Sequence, residues 1–156
     1  MKPCCRTWLW LLLAALLAGT LANLGSPRRI PWIGNWSGYV DARVTEAGLR
    51  VVDHAQARRI VADGTSIVID ARAPDAFAAG HLPGAISLPV SEAAALLPAY
   101  AELLTPDMPV MVYCSGAECE ESLDLGKILV DHGCTNVAIF IGGYAAWSAG
   151  EGAPTP

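Results

Sequence analysis

The sequence is poor in charge, and beyond its first third it is poor in positive charge above all. Asp, Glu, Lys and Arg make up 16% of the 156 residues, against a usual share of about a quarter. From Leu49 onward, five cations (Arg50, Arg58, Arg59, Arg72 and Lys127) face thirteen carboxylates. An acidic region with no basic stripe argues against nucleic acid as a partner. The three histidines, His54, His81 and His132, are scattered with no HxxH or HExxH spacing, which removes the usual basis for a zinc site. The five cysteines form no disulfide framework of the small secreted type. Cys4 and Cys5 precede a long apolar run, Cys134 follows His132-Gly133, and the only spacing with chemical content is Cys114-x4-Cys119. There is no internal repeat and no low-complexity run.

Hydrophobic residues are abundant, at 53%, and the excess is concentrated at the N-terminus. A short basic start, Met1 to Arg6, leads into nearly unbroken apolar sequence from Trp8 to Leu24. At 1.5 Å per residue this run reaches roughly 25 Å, the low end of a bilayer span. A retained signal anchor competes here with a cleaved signal peptide. Thr20-Leu21-Ala22 is a poor small-x-small cleavage site, and no cysteine follows to make a lipoprotein box. Pro27 and the aromatic group Trp32, Trp36 and Tyr39 near the exit favour an anchor with an interfacial belt. Lys2 and Arg6 oppose Arg28 and Arg29, so charge counting barely orients the helix. The short basic flank suggests a cytoplasmic N-terminus and a domain outside, which in a bacterium means the periplasm. The Asn35-Trp36-Ser37 sequon carries no weight alone. The chain thus divides into an anchor or signal segment (1–24), a Gly/Pro/Trp-rich linker (25–48), a domain (49–151) and a tail (152–156).

Within the domain, strand and helix patterns alternate. A helix is expected over 52–64, with Asp53 as N-cap and Gly64 as stop. Strands follow at 66–70, 85–89, 110–113 and 136–141, with helices at 92–104 (broken or kinked at Pro98), 119–133 and 144–149. This alternation predicts an α/β fold with a mainly parallel sheet covered by helices on both faces. Sites in such sheets form at the carboxyl ends of strands. Cys114 lies at such an end, facing a helix start whose N–H groups and dipole lower a thiol pKa and leave a reactive, accessible thiolate. The plain alternative is a small buried hydrophobe.

Three stretches are more specific. Asp70-Ala71-Arg72, then Phe77, then Gly80-His81-Leu82-Pro83-Gly84-Ala85-Ile86-Ser87-Leu88-Pro89 closely resembles the first signature of rhodanese-like domains. Val112-Tyr113-Cys114-Ser115-Gly116 resembles the strand and cysteine that open their active-site loop. Gly133, Asn136-Val137 and Gly142-Gly143-Tyr144-Ala145-Ala146-Trp147 resemble their closing segment. The resemblance spans about residues 50 to 151 and implies a rhodanese-like fold with sulfurtransferase chemistry. The Cys114 thiolate would take sulfur from a sulfane donor as a persulfide and pass it to an acceptor, a small or protein thiol or cyanide. No metal or organic cofactor is implied. Amides of Ser115 to Cys119 would curl round the sulfur as a nest. Asp70 and Arg72 would tie loops together by charge-assisted hydrogen bonds, with Arg72 facing a substrate as the alternative. His81 would serve its turn rather than act as a general base, and Trp147 would anchor the core rather than form a substrate platform.

The loop Ser115, Gly116, Ala117, Glu118, Cys119, Glu120, Glu121, Ser122 departs from the family pattern. Typical loops carry Arg or Lys five residues after the cysteine, followed by Ser or Thr. Here that position is Cys119, Ser122 comes three later, and the loop looks about two residues longer. Glu118, Glu120 and Glu121 invert its charge with no cation, so thiosulfate would meet repulsion. Related phosphatases hold phosphate in a Cys-x5-Arg loop. The sixth residue after Cys114 is Glu120, and phosphatase activity is rejected on that ground. Cys119 suggests a second chemistry, as a resolving thiol or half of a dithiol–disulfide centre. The plain alternative is that Cys119 packs under the helix and never meets Cys114, and a further one is a soft metal held by the two thiolates and a nearby Glu. A non-catalytic rhodanese-like binding module at the membrane is the reading from a different class.

Overall fold

Five short strands run parallel in the order β1-β5-β4-β2-β3: β1 (Arg50–Val52), β2 (Ile67–Asp70), β3 (Ile86–Ser87), β4 (Val110–Tyr113) and β5 (Val137–Phe140). The structure, a computed structural model, describes residues 3–26, 42–116 and 119–151. The expectations resting on Lys2, Pro27, Arg28, Arg29, Trp32, the 35–37 sequon, Tyr39, Ala117, Glu118 and the 152–156 tail lie outside the described residues.

The chain divides into two compact units, Met1–Asn35 and Trp36–Pro156. In the first, α1 (Pro3–Gly25) is a 23-residue helix, about 34 Å long at 1.5 Å per residue. Its stretch Thr7–Gly25 has a mean hydropathy of 1.7 and buries none of its residues within the structure. It is long and apolar enough to cross a membrane.

In the second unit, β-branched runs form the strands and their side chains alternate between two cores. Ile69, Val110, Val112, Val137 and Ile139 face one way, packed with Leu123, Leu125 and Leu129 of α5 (Glu121–Asp131) and with Leu88, Ala93 and Leu97. Val52, Val68, Met111, Tyr113, Ala138 and Phe140 face the other way, packed with Ala57 of α2 (His54–Asp63) and Trp147 of α6 (Gly143–Glu151). The parallel sheet is thus covered on both faces, as the alternating pattern predicts. At Gly126 the helix α5 approaches the sheet so closely that a Cβ would lie 2.9 Å from Ile139 Cδ1.

The expected α2 is present with a capping box. Asp53 Oδ1 accepts from the Gln56 amide at 2.8 Å, Gln56 Oε1 accepts from the Asp53 amide at 3.0 Å, and Gly64 closes the helix in the left-handed conformation. The helix expected over 92–104 is broken into a 3₁₀ turn (Val90–Glu92), α4 (Ala93–Leu96) and a second 3₁₀ turn (Leu97–Tyr100). Pro98 lacks an N–H for a continuous helix and sits at the start of that last turn. Two elements escape the sequence pattern, the six-residue α3 (Pro74–Ala79) and the edge strand β1, which takes Val52 from the start of the expected helix because that residue pairs with Phe140 of β5. Residues 42–48 also belong with the domain rather than a linker: 42–46 is helical, and Val44 is fully buried in the core beside Leu49.

Candidate active site

The register aligns Asp70, Tyr113 and Phe140 across the carboxyl edge of the sheet, and Cys114 is the next residue of the central strand. Under this edge lies a buried polar network. Asp70 Oδ1 accepts from the Arg72 amide and Nε, both at 3.0 Å, and Oδ2 accepts from Arg72 Nη2 and the Tyr113 hydroxyl, both at 2.6 Å. The Tyr113 oxygen in turn accepts from the Leu82 amide at 3.0 Å, and Arg72 Nη2 donates to the Gly80 carbonyl at 2.6 Å. The guanidinium lies 4.4 Å from the Tyr144 ring. Asp70 and Arg72 therefore join β2, β4 and the Gly80–Leu82 turn, and Arg72 is committed to that network rather than turned outward. His81 stacks on Phe77 at 4.0 Å, its Nδ1 3.1 Å from the Phe77 carbonyl oxygen, which places it in the turn.

The loop after Cys114 is held from behind by the closing segment. The amides of Tyr144 and Ala145, in the first turn of α6, donate to the Cys114 and Ser115 carbonyls at 2.8 and 2.9 Å. Gly143, at φ +59, lies so close that a Cβ would stand 2.5 Å from the Cys114 carbonyl oxygen and 2.7 Å from the Gly116 nitrogen. The Gly-Gly-Tyr-Ala-Ala-Trp stretch thereby fixes the orientation of the peptides that follow the cysteine.

Around the sulfur, the nest expected from Ser115 to Cys119 takes a different form. The Cys119 amide donates to the Gly116 carbonyl at 3.0 Å, and the Ser115 amide serves the Cys119 sulfur. The groups that donate to the Cys114 sulfur are the Cys119 thiol, the Ser122 hydroxyl at 3.4 Å and the Gly116 and Ser122 amides. Ser122 stands in the first turn of α5, so the helix start faces the cysteine as expected. Two carbonyl oxygens, of Cys119 at 3.3 Å and Gly116 at 3.6 Å, accept from the thiol when it is protonated. They and burial oppose ionisation; the four donors outweigh them, the Cys119 thiol foremost, and hold the Cys114 pKa down at about 6. The Cys119 thiol is pushed the other way, first by the charge it serves on Cys114 and then by burial. Cys114 itself is fully buried rather than accessible. Loss of its proton turns the two carbonyl contacts from attractive to repulsive, so ionisation favours their withdrawal from the sulfur.

Two further residues complete the loop. Cys119 Sγ donates to Glu121 Oε2 at 3.2 Å, so Cys119 meets both Cys114 and a carboxylate instead of packing away under the helix. Arg43 pairs with Glu120. The cation absent from the loop's own sequence thus arrives from the helical segment 42–46, which sequence reasoning placed in the linker. Arg43, Cys119, Glu120 and Ser122 border a cavity of about 10 Å³, too small for any sulfur donor. The described cysteines of the domain, Cys114, Cys119 and Cys134, are all free thiols.

Comparison with known proteins agrees with this architecture. The family model of the rhodanese-like domain matches residues 53–150. The human single-domain sulfurtransferase is 25% identical, with 65% of this chain and 97% of that one covered and a TM-score of 0.56. A rhodanese-related protein of Thermoplasma volcanium is also 25% identical, covering 67% and 95%, with a TM-score of 0.51. A Rhodopseudomonas palustris protein described as a possible tyrosine phosphatase is 24% identical, covering 83% and 98% with a TM-score of 0.60, a likeness of fold alone. An HTH-type transcriptional regulator of Mycobacterium tuberculosis is 40% identical over 70 residues, 45% of this chain. The chain spans only 29% of that relative's length.

Proposed function

Since the chain belongs to the rhodanese-like domain family, we propose that it is a sulfurtransferase that carries sulfane sulfur as a persulfide on Cys114 and delivers it to a thiol acceptor, small or protein-borne. The observation that carries this reading is the set of four donors converging on one strand-end sulfur. Such a setting makes a thiolate at neutral pH and stabilises charge on it during exchange. In the first step the thiolate attacks the outer sulfur of a donor R–S–SH, the S–S bond breaks, and RS⁻ leaves. In the second, an acceptor thiolate attacks the outer sulfur of the Cys114 persulfide, and the Cys114 thiolate returns. With Glu120 paired to Arg43, it is the Glu121 carboxylate beside Cys119 that favours a low-charge donor over the thiosulfate dianion.

The test is sulfur loading of the full chain in detergent micelles, with the persulfide of 2-mercaptoethanol as donor and an alkylating quench within the first turnover. One added sulfur atom is expected on the Cys114 peptide by mass spectrometry, and none in Cys114→Ser. The loading rate is expected to rise with pH through about 6 and level off above it, because the reactive form is the deprotonated one. Ser122→Ala, which removes a donor, is expected to move that midpoint upward. Absence of any adduct, with thiosulfate also tried, would overturn the proposal and leave a non-catalytic binding module as the better reading.

The apolar stretch Thr7–Gly25 supports membrane attachment, and we read it as a retained anchor with the domain on the extracytoplasmic, in bacteria periplasmic, side. The full chain is expected to resist extraction by alkaline carbonate and to yield to detergent. Release by carbonate, or a mature chain beginning beyond residue 25, would refute the anchor.

A further inference from the structure

Sulfur transfer to an outside acceptor uses Cys119 only as a donor to the Cys114 sulfur, and gives no step to the Glu121 carboxylate that Cys119 also meets. The Cys119 sulfur has two partners, the Cys114 sulfur and Glu121 Oε2 at 3.2 Å. A thiol has one proton to donate, so it serves one partner at a time, and which one depends on whether Cys114 carries a charge. We propose that Cys119 and Glu121 form a resolving pair that converts the Cys114 persulfide into a Cys114–Cys119 disulfide and releases hydrogen sulfide. The inference rests on the persulfide reading above and adds to it an internal, reductive fate for the sulfur.

While Cys114 is a thiolate, the Cys119 S–H points to it and holds its charge. The same charge keeps Cys119 protonated and unreactive. Once Cys114 bears the outer sulfur, its inner sulfur is neutral, and the charge that favoured that contact is gone. The Cys119 proton then turns to the Glu121 carboxylate, which accepts it as a general base. The freed Cys119 sulfur donates its electron pair to the inner sulfur of Cys114. The persulfide S–S bond breaks, its electron pair leaves on the outer sulfur as HS⁻, and the proton held by Glu121 completes H₂S. The two thiols are oxidised by two electrons, and the sulfane sulfur is reduced by two. Two equivalents of an external thiol, RSH, then reduce the disulfide and leave as RSSR.

The experiment uses the full chain in detergent micelles, reduced and desalted, mixed without acceptor thiol with one equivalent of the persulfide of 2-mercaptoethanol. About one sulfide per chain is expected, together with linked Cys114 and Cys119 peptides on non-reducing mass spectrometry. Cys119→Ser, whose hydroxyl keeps a donor at that position, is expected to load sulfur on Cys114 and then to retain it without releasing sulfide. Glu121→Gln is expected to load, then to release sulfide about 10²-fold more slowly, at a rate that climbs with alkaline pH where the parent chain's is flat. A parent chain that keeps a stable persulfide with no linked peptide would overturn the inference and leave sulfur transfer intact. Sulfide released equally by Cys119→Ser would do the same, and an unchanged pH profile in Glu121→Gln would remove the carboxylate from the step. Failure to load Cys114 in any variant would overturn the transfer reading itself.

Discussion

Asp70→Ala should lose about 3–5 kcal/mol of folding stability, the typical cost of leaving one member of a buried ion pair alone. Domains of this kind have only about 5–15 kcal/mol to lose. Asp70 is fully buried, and its two oxygens take the Arg72 amide, the Arg72 side chain and the Tyr113 hydroxyl. Its removal strands the guanidinium of Arg72, a residue only 6% exposed, with the Gly80 carbonyl and two aromatic faces as its remaining company. It also takes away the acceptor of a buried phenol, one residue before the cysteine. Urea unfolding of the full chain, followed by the near-ultraviolet signal of its aromatic residues, measures the loss. Asp70→Asn keeps the volume and an oxygen for Tyr113, so its loss should be smaller. A midpoint for Asp70→Ala within about 0.5 kcal/mol of the parent, the range of an ordinary surface change, would show that the network does not hold the sheet edge together. The same network sets an alkaline limit. Burial, then Asp70, pushes the Tyr113 hydroxyl above its ordinary range, so the folded chain favours the neutral phenol. That contribution is intact below about pH 10, the ordinary value for tyrosine, and declines as pH rises beyond it.

Gly143→Ala should cut the rate of sulfur loading by about 10²-fold or more, the order expected when a reacting group is displaced by an ångström. The added methyl would meet backbone atoms on three sides, the Cys114 carbonyl oxygen at 2.5 Å, the Gly116 nitrogen at 2.7 Å and the Ser115 carbonyl carbon at 2.8 Å. None of these is the flexible end of a side chain, so the loop itself must move. The left-handed backbone at Gly143 adds a cost of about 1–2 kcal/mol for any residue with a Cβ. Relief of the clash pulls the Cys114 and Ser115 carbonyls away from the Tyr144 and Ala145 amides and rotates the Gly116 amide off the sulfur. The midpoint of loading against pH should rise along with the loss of rate, a combination that simple destabilisation would not produce. Retention of both rate and midpoint would show that the closing segment does not position the loop.

Much of the fold is legible along the chain because its causes are local. Runs such as Val110 to Tyr113 and Val137 to Phe140 alternate β-branched with other apolar or aromatic residues, which suits strands buried on both faces. Asp53 and Gly64 mark their helix by chemistry that acts over three or four residues. The elements missed are those whose reasons lie elsewhere in the chain. Strand β1 is three residues long and exists because β5 offers it a partner, and α3 is too short to show a period. Val44 looks like any residue of a polar approach until the core closes over it.

The sequence by itself determined the parallel α/β sheet, the rhodanese-like signatures, the strand-end position of Cys114 and the apolar N-terminal stretch. These follow from the order of side chains and from backbone preferences that act between near neighbours. Tertiary structure alone decided which donors meet the Cys114 sulfur, that Cys119 stands between it and Glu121, and that Arg43 answers Glu120 across 77 positions of chain. Charge and hydrogen bonding act through space and depend on direction. Residues far apart in sequence acquire a common chemistry only when packing has set the distance and angle between them.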